Sequence, residues 1–379
     1  MTVNRLLFAA PHTGVPGPIR GHTELLAEQF RAAGVETSIF GWGRHADGES
    51  LARKVSGRFA DTQAILRHLS AHRPEVVVIR TAHDWKTMAR DIPLVWRARR
   101  HAANVVVQFH GSQIERAVPG TGFGNATALL ASLVDGVLLL SNDERAKWVE
   151  WFPKTRVAVV DNAFAVWPQA VASRDRDVAS ELGDGIRLVY VGRLIPEKGA
   201  YEALEAVAQV RDRVSAKLCI VGTGPDEVRL RARARELGIE GDVEFAGQLD
   251  REKLAEVYLR SECLVLPTYW AEGFPTVLSE AMSFGLPIIT TPQRGARDHL
   301  AEGTNALFVP PKDSAAVAAA ILRLAGDRGL VASMSRANRA VVERFSPEVA
   351  APRYLAAVES MCDQPFGANF ASPATGSAK

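Results

Sequence analysis

The sequence predicts an α/β protein made of two doubly wound, Rossmann-like domains that face each other across a cleft. Two observations lead to this prediction: the length of the chain and its alternation of short β-branched runs with longer helical patterns. A chain of 379 residues is too long for one ordinary core and suits about two domains. Alternating strands and helices favour βαβ units with parallel sheets. The loops after the strands would then line the cleft, where such folds bind ligands.

Eleven strands are predicted, and most of them are continuously apolar, as expected when helices cover both faces of a sheet. In the first half they cover residues 5–10, 36–40, 76–80, 105–109, 136–140 and 157–160. The helical patterns between them cover residues 23–33, 62–71 and 143–151. In the second half the strands cover residues 187–191, 217–221, 243–245, 263–266 and 287–291.

The strand pattern stops after Asn162 and resumes near residue 187, which indicates an interdomain connection. We therefore predict a first domain over residues 1–166, a linker over 167–185 and a second domain over 186–345. Ser346 and Pro347 begin a last helix over about residues 346–361, with Ser as N-cap and Pro at the first helical position. Residues 364–379, rich in Ala, Gly, Ser and Pro, predict a flexible tail.

Composition is that of an ordinary soluble globular chain, with 47% hydrophobic and 23% charged residues and a net charge of +2. The charge is uneven, because residues 1–165 hold 20 Lys and Arg against 15 Asp and Glu. A mildly basic first half would favour an anionic acceptor or an anionic membrane surface, and ordinary surface charge is the alternative. Residues 92–100 combine apolar bulk with nearby arginines, which raises the hypothesis of peripheral membrane contact. A helix packed on the sheet is the simpler interpretation, and no nucleic-acid partner is expected.

The cysteine pattern favours a reducing cytoplasm. Cys219, Cys263 and Cys362 are odd in number and have no metal-ligand spacing, and the first two lie in apolar strand runs. The apolar run at the N-terminus is too short for a signal sequence. No stretch approaches the ~18 apolar residues of a membrane span. We therefore predict a cytoplasmic protein, with or without peripheral contact at the inner face of the membrane.

The most informative motif is the loop and helix that follow the strand at residues 263–266. Pro275 opens this helix, whose free N–H groups and positive dipole end form an anion site. Gly273 permits close backbone approach. Glu280, about one turn inside, can accept two hydrogen bonds from a diol such as a ribose, and Glu272 can face a sugar. The alternative is that Glu272 is a solvated loop residue and Glu280 a surface charge.

A second motif places two cations after the strand at residues 187–191. Gly192 is followed by Arg193 and Lys198 in a short loop before the next helix. Both side chains can donate charge-assisted hydrogen bonds to a diphosphate. A single cation after a strand is usually only solvated, and it is the pair that favours a phosphate site.

Three weaker features lie in other loops. Gly222 and Gly224 allow a tight turn that could border a base or ribose, although Glu227 occupies the position of the third glycine of a dinucleotide fingerprint. His110 follows a strand and could contact a transferred sugar, or it could be structural. Gly17 lies in a glycine-rich loop suited to a phosphate, or to a flexible connection.

Taken together, these segments resemble the GT-B family four of retaining glycosyltransferases. The run from Glu272 to Glu280, Glu-Gly-Phe-Pro-Thr-Val-Leu-Ser-Glu, is similar to that family's E-x7-E signature. Val191-Gly-Arg-Leu-Ile-Pro-Glu-Lys198 is similar to its phosphate-binding loop, and Phe245-Ala-Gly-Gln-Leu249 also matches in order and spacing. The resemblance covers roughly residues 187–313 and is much weaker over the first half.

The resemblance implies a role for each motif residue. The first domain would take the acceptor, the second would take the nucleotide sugar, and the final helix would cross back to the first. The implied catalytic residues are Glu272 and His110 at the sugar and Arg193 and Lys198 at the diphosphate. The other implied donor-binding residues are Gly17, Gly192, Gly222, Gly224, Leu249 against the base, Gly273, Phe274, Pro275, Thr276, and Glu280 at the ribose.

The implied reaction is retaining transfer of a sugar from a nucleoside-diphosphate sugar to a hydroxyl of a glycan, a lipid-linked sugar or a small molecule. The resemblance also implies that no cofactor or metal is needed. The sequence agrees, since Asp175-Arg-Asp177 lies in the predicted linker and Arg193 and Lys198 can stabilise the leaving diphosphate. Two alternatives remain open: a nucleotide-sugar epimerase of the same fold and a non-catalytic scaffold. One departure from the family pattern is Asp298, where a glutamate is usual.

Overall fold

The computed structural model of the chain describes residues 2–15, 17–43, 51–101, 104–172 and 185–362. The chain forms two compact units. The first contains Met1–Leu139, Arg145–Val160 and Ala351–Lys379, and the second contains Leu140–Glu144 and Asp161–Ala350. Each unit has its own parallel sheet and its own hydrophobic core.

The first unit is built on a six-stranded parallel sheet. Its strands are β1 (Arg5–Ala10), β2 (Glu36–Gly41), β3 (Val76–Thr81), β4 (Asn104–Phe109), β5 (Gly136–Leu139) and β6 (Val157–Val159). One helix follows each of the first five strands: α1 (Pro18–Ala32), α2 (Leu51–His72), α3 (Trp85–Ala98), α4 (Gly122–Leu133) and α5 (Asn142–Trp151). The strand order is β2-β1-β3-β4-β5-β6, so the direction of winding reverses between β1 and β3. Strands β1, β3 and β4 are almost wholly buried.

The second unit repeats this architecture. Its strands are β7 (Gly185–Val191), β8 (Ser215–Val221), β9 (Val243–Gly247), β10 (Cys263–Leu266), β11 (Ile288–Thr290) and β12 (Ala306–Phe308). Its helices are α6 (Pro168–Ala172), α7 (Ala200–Val210), α8 (Glu227–Glu236), α9 (Arg251–Leu259), α10 (Thr276–Ser283), α11 (Gly295–His299), α12 (Ser314–Gly326) and α13 (Arg328–Val342), followed by α14 (Pro347–Cys362). The strand order is β12-β11-β10-β7-β8-β9, so the winding reverses between β7 and β10. Short 3-10 turns lie at Ile114–Arg116, Pro196–Lys198, Glu240–Asp242 and Glu343–Phe345.

The prediction of an α/β chain with two doubly wound, Rossmann-like parts is confirmed. All eleven predicted strands are present, and their ends differ from the predicted ones by at most two residues. Strand β12 was missed, because three residues at the edge of a sheet are too short to show a periodic pattern. Helices α1 and α2 begin earlier than predicted, at Pro18 and Leu51. Pro18 stands in the first turn of its helix, where a missing N–H costs nothing.

The segment before β7 differs from the polar linker predicted for residues 167–185. It begins with helix α6, and Trp167 packs edge-on against Tyr258 and Phe284, with ring centroids 5.9 and 5.7 Å away. These ring contacts lie within the second unit, to which residues from Asp161 to Ala350 belong. The sequence predicted that the first domain ends later, at residue 166. Helix α14 begins at Pro347 and is divided between the units after Ala350. Residues 173–184 and the predicted tail at 364–379 lie outside the described residues.

Candidate functional site

The candidate site of the second unit lies where the winding of its sheet reverses. Strands β7 and β10 are neighbours there, so the loops that leave their carboxyl ends run side by side. Three hydrogen bonds join the two loops. The carbonyl of Glu197 accepts from the amides of Tyr269 (2.9 Å) and Trp270 (3.1 Å) and from Oγ1 of Thr268 (3.1 Å). This is the position at which open α/β sheets bind ligands.

The two loops are also joined by an ion pair between Lys198 and Glu272. The side chain of Lys198 is 9% exposed and that of Glu272 is 27% exposed, so the ammonium group lies deeper than its partner. Gly199 follows in the left-handed conformation (φ +83°), and a Cβ there would come 2.5 Å from the carbonyl oxygen of Pro267. Only glycine fits this position, and it brings Lys198 within reach of Glu272.

Arg193, the second predicted phosphate ligand, is exposed at the start of the same loop. Its guanidinium carbon lies 5.5 Å from the ring centroid of Trp270, within the range of a cation–π contact. The hydroxyl of buried Tyr190 donates to the carbonyl of Arg193 (3.2 Å). Burial, and next the charge of Glu272, raise the pKa of Tyr190, which therefore stays a proton donor.

Glu280 lies one turn into α10 and is held by a buried tyrosine. The hydroxyl of Tyr258 donates to its Oε2 at 2.8 Å. The ring of Tyr258 stacks on Phe284, with centroids 5.2 Å apart, and this packing fixes the direction of the donor. Burial raises the pKa of Glu280, while the Tyr258 hydrogen bond and the charge of Arg251 oppose that rise. No described residue is a hydrogen-bond partner of the other oxygen, Oε1, which can accept from a diol.

The segment between Glu272 and α10 is shaped by packing within the second unit. A Cβ on Gly273 would come 2.3 Å from Cβ of Leu140. Phe274 stacks on Phe345, with centroids 5.2 Å apart. Pro275 is the N-cap of α10 and has no side-chain oxygen to cap it. The positive end of the helix at Thr276 therefore follows directly on the loop that carries Glu272.

The glycines after β7 and β8 serve contacts between loops. Gly222 has φ +132°, and a Cβ there would come 2.0 Å from the carbonyl oxygen of Gly192. A Cβ on Gly224 would come 2.3 Å from the carbonyl oxygen of Leu194. These contacts explain both glycines without a ligand. Leu249, after β9, is half-buried and packs on the core of the unit.

Gly17 and His110 belong to the first unit. Gly17 is the N-cap of α1 with φ +132°, a conformation that favours glycine even though a Cβ would meet no atom within 4 Å. His110 follows β4 and is half-buried. Its Nε2 accepts a hydrogen bond from Nε of Arg80 (3.2 Å). Burial, and then the charges of Arg80 and His22, hold the pKa of His110 well below its usual range.

Four side chains that shape these sites were not predicted from the sequence: Tyr190, Tyr258, Trp270 and Arg80. The first two read as apolar positions of a strand and a helix, and nothing local shows where their hydroxyl groups point. Arg80 did carry a signal, because it is the one charged residue at the end of the otherwise apolar run Val76–Thr81. A buried arginine in a strand needs polar partners, and His110 is one of them.

A search of the described ranges finds no group of three or more His, Cys, Asp or Glu side chains arranged to hold a metal ion. Asp175 and Asp177 lie outside those ranges. None of the helices within them has the length and apolar character needed to cross a membrane.

Residues 173–341 match the family model of glycosyl transferases group 1. An exopolysaccharide phosphotransferase of Streptomyces coelicolor is 31% identical over 230 residues, which are 60% of this chain and 24% of that protein. A glycogen synthase of Mycobacterium tuberculosis is 29% identical over 278 residues, which are 70% of this chain and 64% of that protein. The chain thus spans less than two thirds of the length of these curated relatives.

Solved structures share the fold over nearly the whole chain. A sucrose-phosphate synthase from Thermosynechococcus elongatus has a TM-score of 0.72 at 19% identity, covering 94% of this chain and 99% of that one. HepE of Anabaena, in complex with UDP and glucose, has a TM-score of 0.68 at 16% identity, with the same coverage. At these identities the likeness shows the fold, which is the GT-B fold of glycosyltransferases.

Proposed function

We propose that this chain is a retaining glycosyltransferase that transfers a sugar from a nucleoside-diphosphate sugar to a hydroxyl acceptor. The observation that carries the proposal is the pairing of Lys198 with Glu272 at the point where the sheet reverses. It brings a cation suited to a diphosphate and a carboxylate suited to a sugar to one place. The group 1 match over residues 173–341 and the UDP complex of HepE support the same donor class.

The second unit would bind the donor. Arg193, Lys198 and the amino end of α10 would hold the diphosphate and stabilise its charge as it leaves. Oε1 of Glu280 would accept from the ribose hydroxyls while Tyr258 fixes Oε2. Leu249 would lie against the base, and Glu272 would contact the sugar once the diphosphate draws Lys198 away.

The chemistry follows from these roles. Two cations at the leaving group do the work that a metal ion does in other transferases, so we propose that the reaction needs no metal. Retention would follow from attack of the acceptor on the face that the diphosphate leaves, with a phosphate oxygen taking the acceptor's proton. We assign no protein nucleophile, and we place the reaction in the cytoplasm.

Binding and turnover test the proposal together. UDP, GDP and ADP should be screened by thermal shift in EDTA at about 100 times a plausible Kd, where a bound nucleotide adds about 2.7 kcal/mol. Arg193→Ala should abolish most of this stabilisation and cut turnover about a hundredfold. Arg213→Ala, an exposed arginine after α7, is the control and should change neither. Stabilisation by none of the three nucleotides would contradict the donor site, and donor conversion without any acceptor would favour the epimerase.

Two of the arginines near residues 92–100 have partners within the first unit, which limits the cations available for a membrane contact. Arg90 is bonded to both oxygens of buried Asp91, at 2.6 and 2.9 Å. Arg99 is bonded to Asp135. These two cations are therefore engaged inside the first unit and are not offered to a lipid surface.

The remaining patch consists of Trp96, Arg97 and Arg100. Trp96 is 48% exposed, and the guanidinium carbon of Arg100 lies 3.6 Å from its ring centroid. We propose that this patch contacts anionic lipid headgroups near the acceptor. Flotation with anionic vesicles at low salt should recover the wild type and lose Trp96→Ala, whereas Val228→Ala, an exposed apolar site of the second unit, should still float. Absence of wild-type binding would refute the patch.

A further inference from the structure

The polar cluster around Arg80 in the first unit has a consequence for His110. Arg80 ends the apolar run of β3 and is only 2% exposed. Its Nε donates to Nε2 of His110 at 3.2 Å, and its Nη1 donates to Oγ1 of Thr23 at 2.8 Å. Its guanidinium carbon also lies 5.8 Å from the ring centroid of Phe8 and 5.9 Å from that of Tyr354. These contacts hold the guanidinium in one orientation.

The donor character of Arg80 fixes the proton of the imidazole. A guanidinium group has only N–H donors and does not deprotonate in proteins, so Nε2 of His110 must offer its lone pair. A neutral imidazole with a free lone pair on Nε2 carries its proton on Nδ1. A protonated ring would instead place two N–H groups against each other beside a second positive charge.

The other groups near the ring also favour its neutral form. The charges that act on His110 are those of Arg80 and His22, and both disfavour protonation. The amide of Gln108, next along the same face of β4, accepts from the hydroxyl of Tyr354 (2.6 Å) and is not ionisable. No carboxylate is among the groups that shift the pKa of His110.

Only one polar atom of the ring is left for a bound molecule. Nε2 is engaged by Arg80, and the main-chain amide of His110 donates to the carbonyl of Thr81 (2.9 Å). Nδ1 has no hydrogen-bond partner among the residues that the structure describes. The half-buried ring therefore presents a single N–H donor and no acceptor.

We propose that Arg80 is a positioning residue that holds His110 as a neutral hydrogen-bond donor, through Nδ1–H, to an oxygen of the transferred sugar. In this role His110 orients the sugar and does not act as a general base, because its lone pair is already engaged. The inference rests on the proposed function for the identity of the bound molecule. The tautomer itself does not depend on that identity.

Two amide replacements separate the two ring nitrogens. In His110→Asn the amide nitrogen stands near the position of Nδ1, so the donor to the sugar is kept while Arg80 loses its acceptor. In His110→Gln the amide oxygen stands near Nε2, so Arg80 keeps its acceptor while the donor is lost. We expect His110→Asn to be the less stable variant yet to keep turnover within about threefold, and His110→Gln to be more stable yet lose about tenfold or more.

The opposite orders of stability and turnover are the decisive result, because a merely structural histidine would give the same order for both. Turnover that follows stability, with His110→Gln the more active variant, would overturn the proposal. Equal losses in the two variants would also overturn it, since Nδ1 would then have no separate role.

A second measurement needs no activity. Nitrogen NMR of His110 in the full chain should show the proton on Nδ1 at neutral pH in the wild type and in Thr23→Val. That variant removes the hydroxyl that accepts from Nη1 of Arg80 and donates to the carbonyl of Ile19, and it leaves the bond from Nε of Arg80 to His110 in place. Arg80→Met should shift the ring toward the other tautomer. A wild-type ring with its proton on Nε2, or on both nitrogens, would refute the inference. If no nucleotide sugar supports turnover, the proposed function fails while this result still decides the role of Arg80.

Discussion

The ion pair between Lys198 and Glu272 gives the sharpest prediction, because the same lysine is assigned to the donor diphosphate. In the proposed function a nucleoside diphosphate binds Lys198 by drawing it away from Glu272. The replacement Glu272→Gln removes the competing charge and keeps the size of the side chain. We therefore expect a nucleoside diphosphate without its sugar to bind more tightly to the variant than to the wild type.

The exposure of the pair sets the size of this effect. Fully exposed ion pairs contribute about 0–1 kcal/mol, and breaking a fully buried pair costs about 3–5 kcal/mol. With side chains 9% and 27% exposed, this pair lies between those limits, and we take about 1–3 kcal/mol. Affinity for the diphosphate should then rise about tenfold, which corresponds to about 1.4 kcal/mol. The free variant should lose stability in the same range, because Lys198 is left without its partner.

Calorimetric titration with the nucleotide identified by thermal shift measures the affinity, and urea unfolding measures the stability. Glu240→Gln is the matched control, because it removes the same charge from an exposed position of the same unit. The intact nucleotide sugar should gain less than the diphosphate alone, since its sugar loses the contact with Glu272, and turnover should fall. Unchanged or weaker binding of the diphosphate to Glu272→Gln, with Glu240→Gln normal, would show that the pair does not oppose binding.

Three further predictions concern the same unit. Burial raises the pKa of Glu280, so the folded carboxyl group holds its proton more tightly than the unfolded one. Wild-type stability therefore falls as pH rises through that pKa. Urea unfolding at pH 5 and pH 8 should show a smaller fall for Glu280→Gln, and the nucleotide affinity of this variant should be at least about tenfold lower. Tyr258→Phe keeps the stacking on Phe284 but removes the bond to Oε2, and titration should show a loss of several-fold in affinity; an unchanged value would mean that Tyr258 does not orient Glu280. Gly222→Ala should cost about 1–3 kcal/mol of unfolding free energy, because its Cβ would meet the Gly192 carbonyl. Gly241→Ala is the control and should cost little, since a Cβ there would meet no atom within 4 Å. Similar costs for both variants would refute the crowding argument.

The architecture could be predicted from the sequence, because the signals of a doubly wound fold are local. A run such as Val76–Thr81 is apolar at nearly every position, which only a strand covered on both faces tolerates. The sequence also places Arg193, Lys198 and Glu272 in loops after such strands and Glu280 in the helix that follows. Their roles in binding a donor stay predictions. Strand β12 and helix α6 were not predicted, because short elements take their stability from neighbours that are distant in sequence.

The contacts of these residues could not be predicted, because they join elements that are distant in the sequence. Lys198 and Glu272 are 74 positions apart in the chain, and they meet because β7 lies beside β10 where the winding of the sheet reverses. Tyr258 of α9 reaches Glu280 of α10 while its ring stacks on Phe284, and Arg80 reaches His110 because β3 pairs with β4. Spacing along a chain shows which faces are apolar, whereas the partner of a buried polar group depends on which elements lie next to each other. That choice is made by the packing of the whole unit.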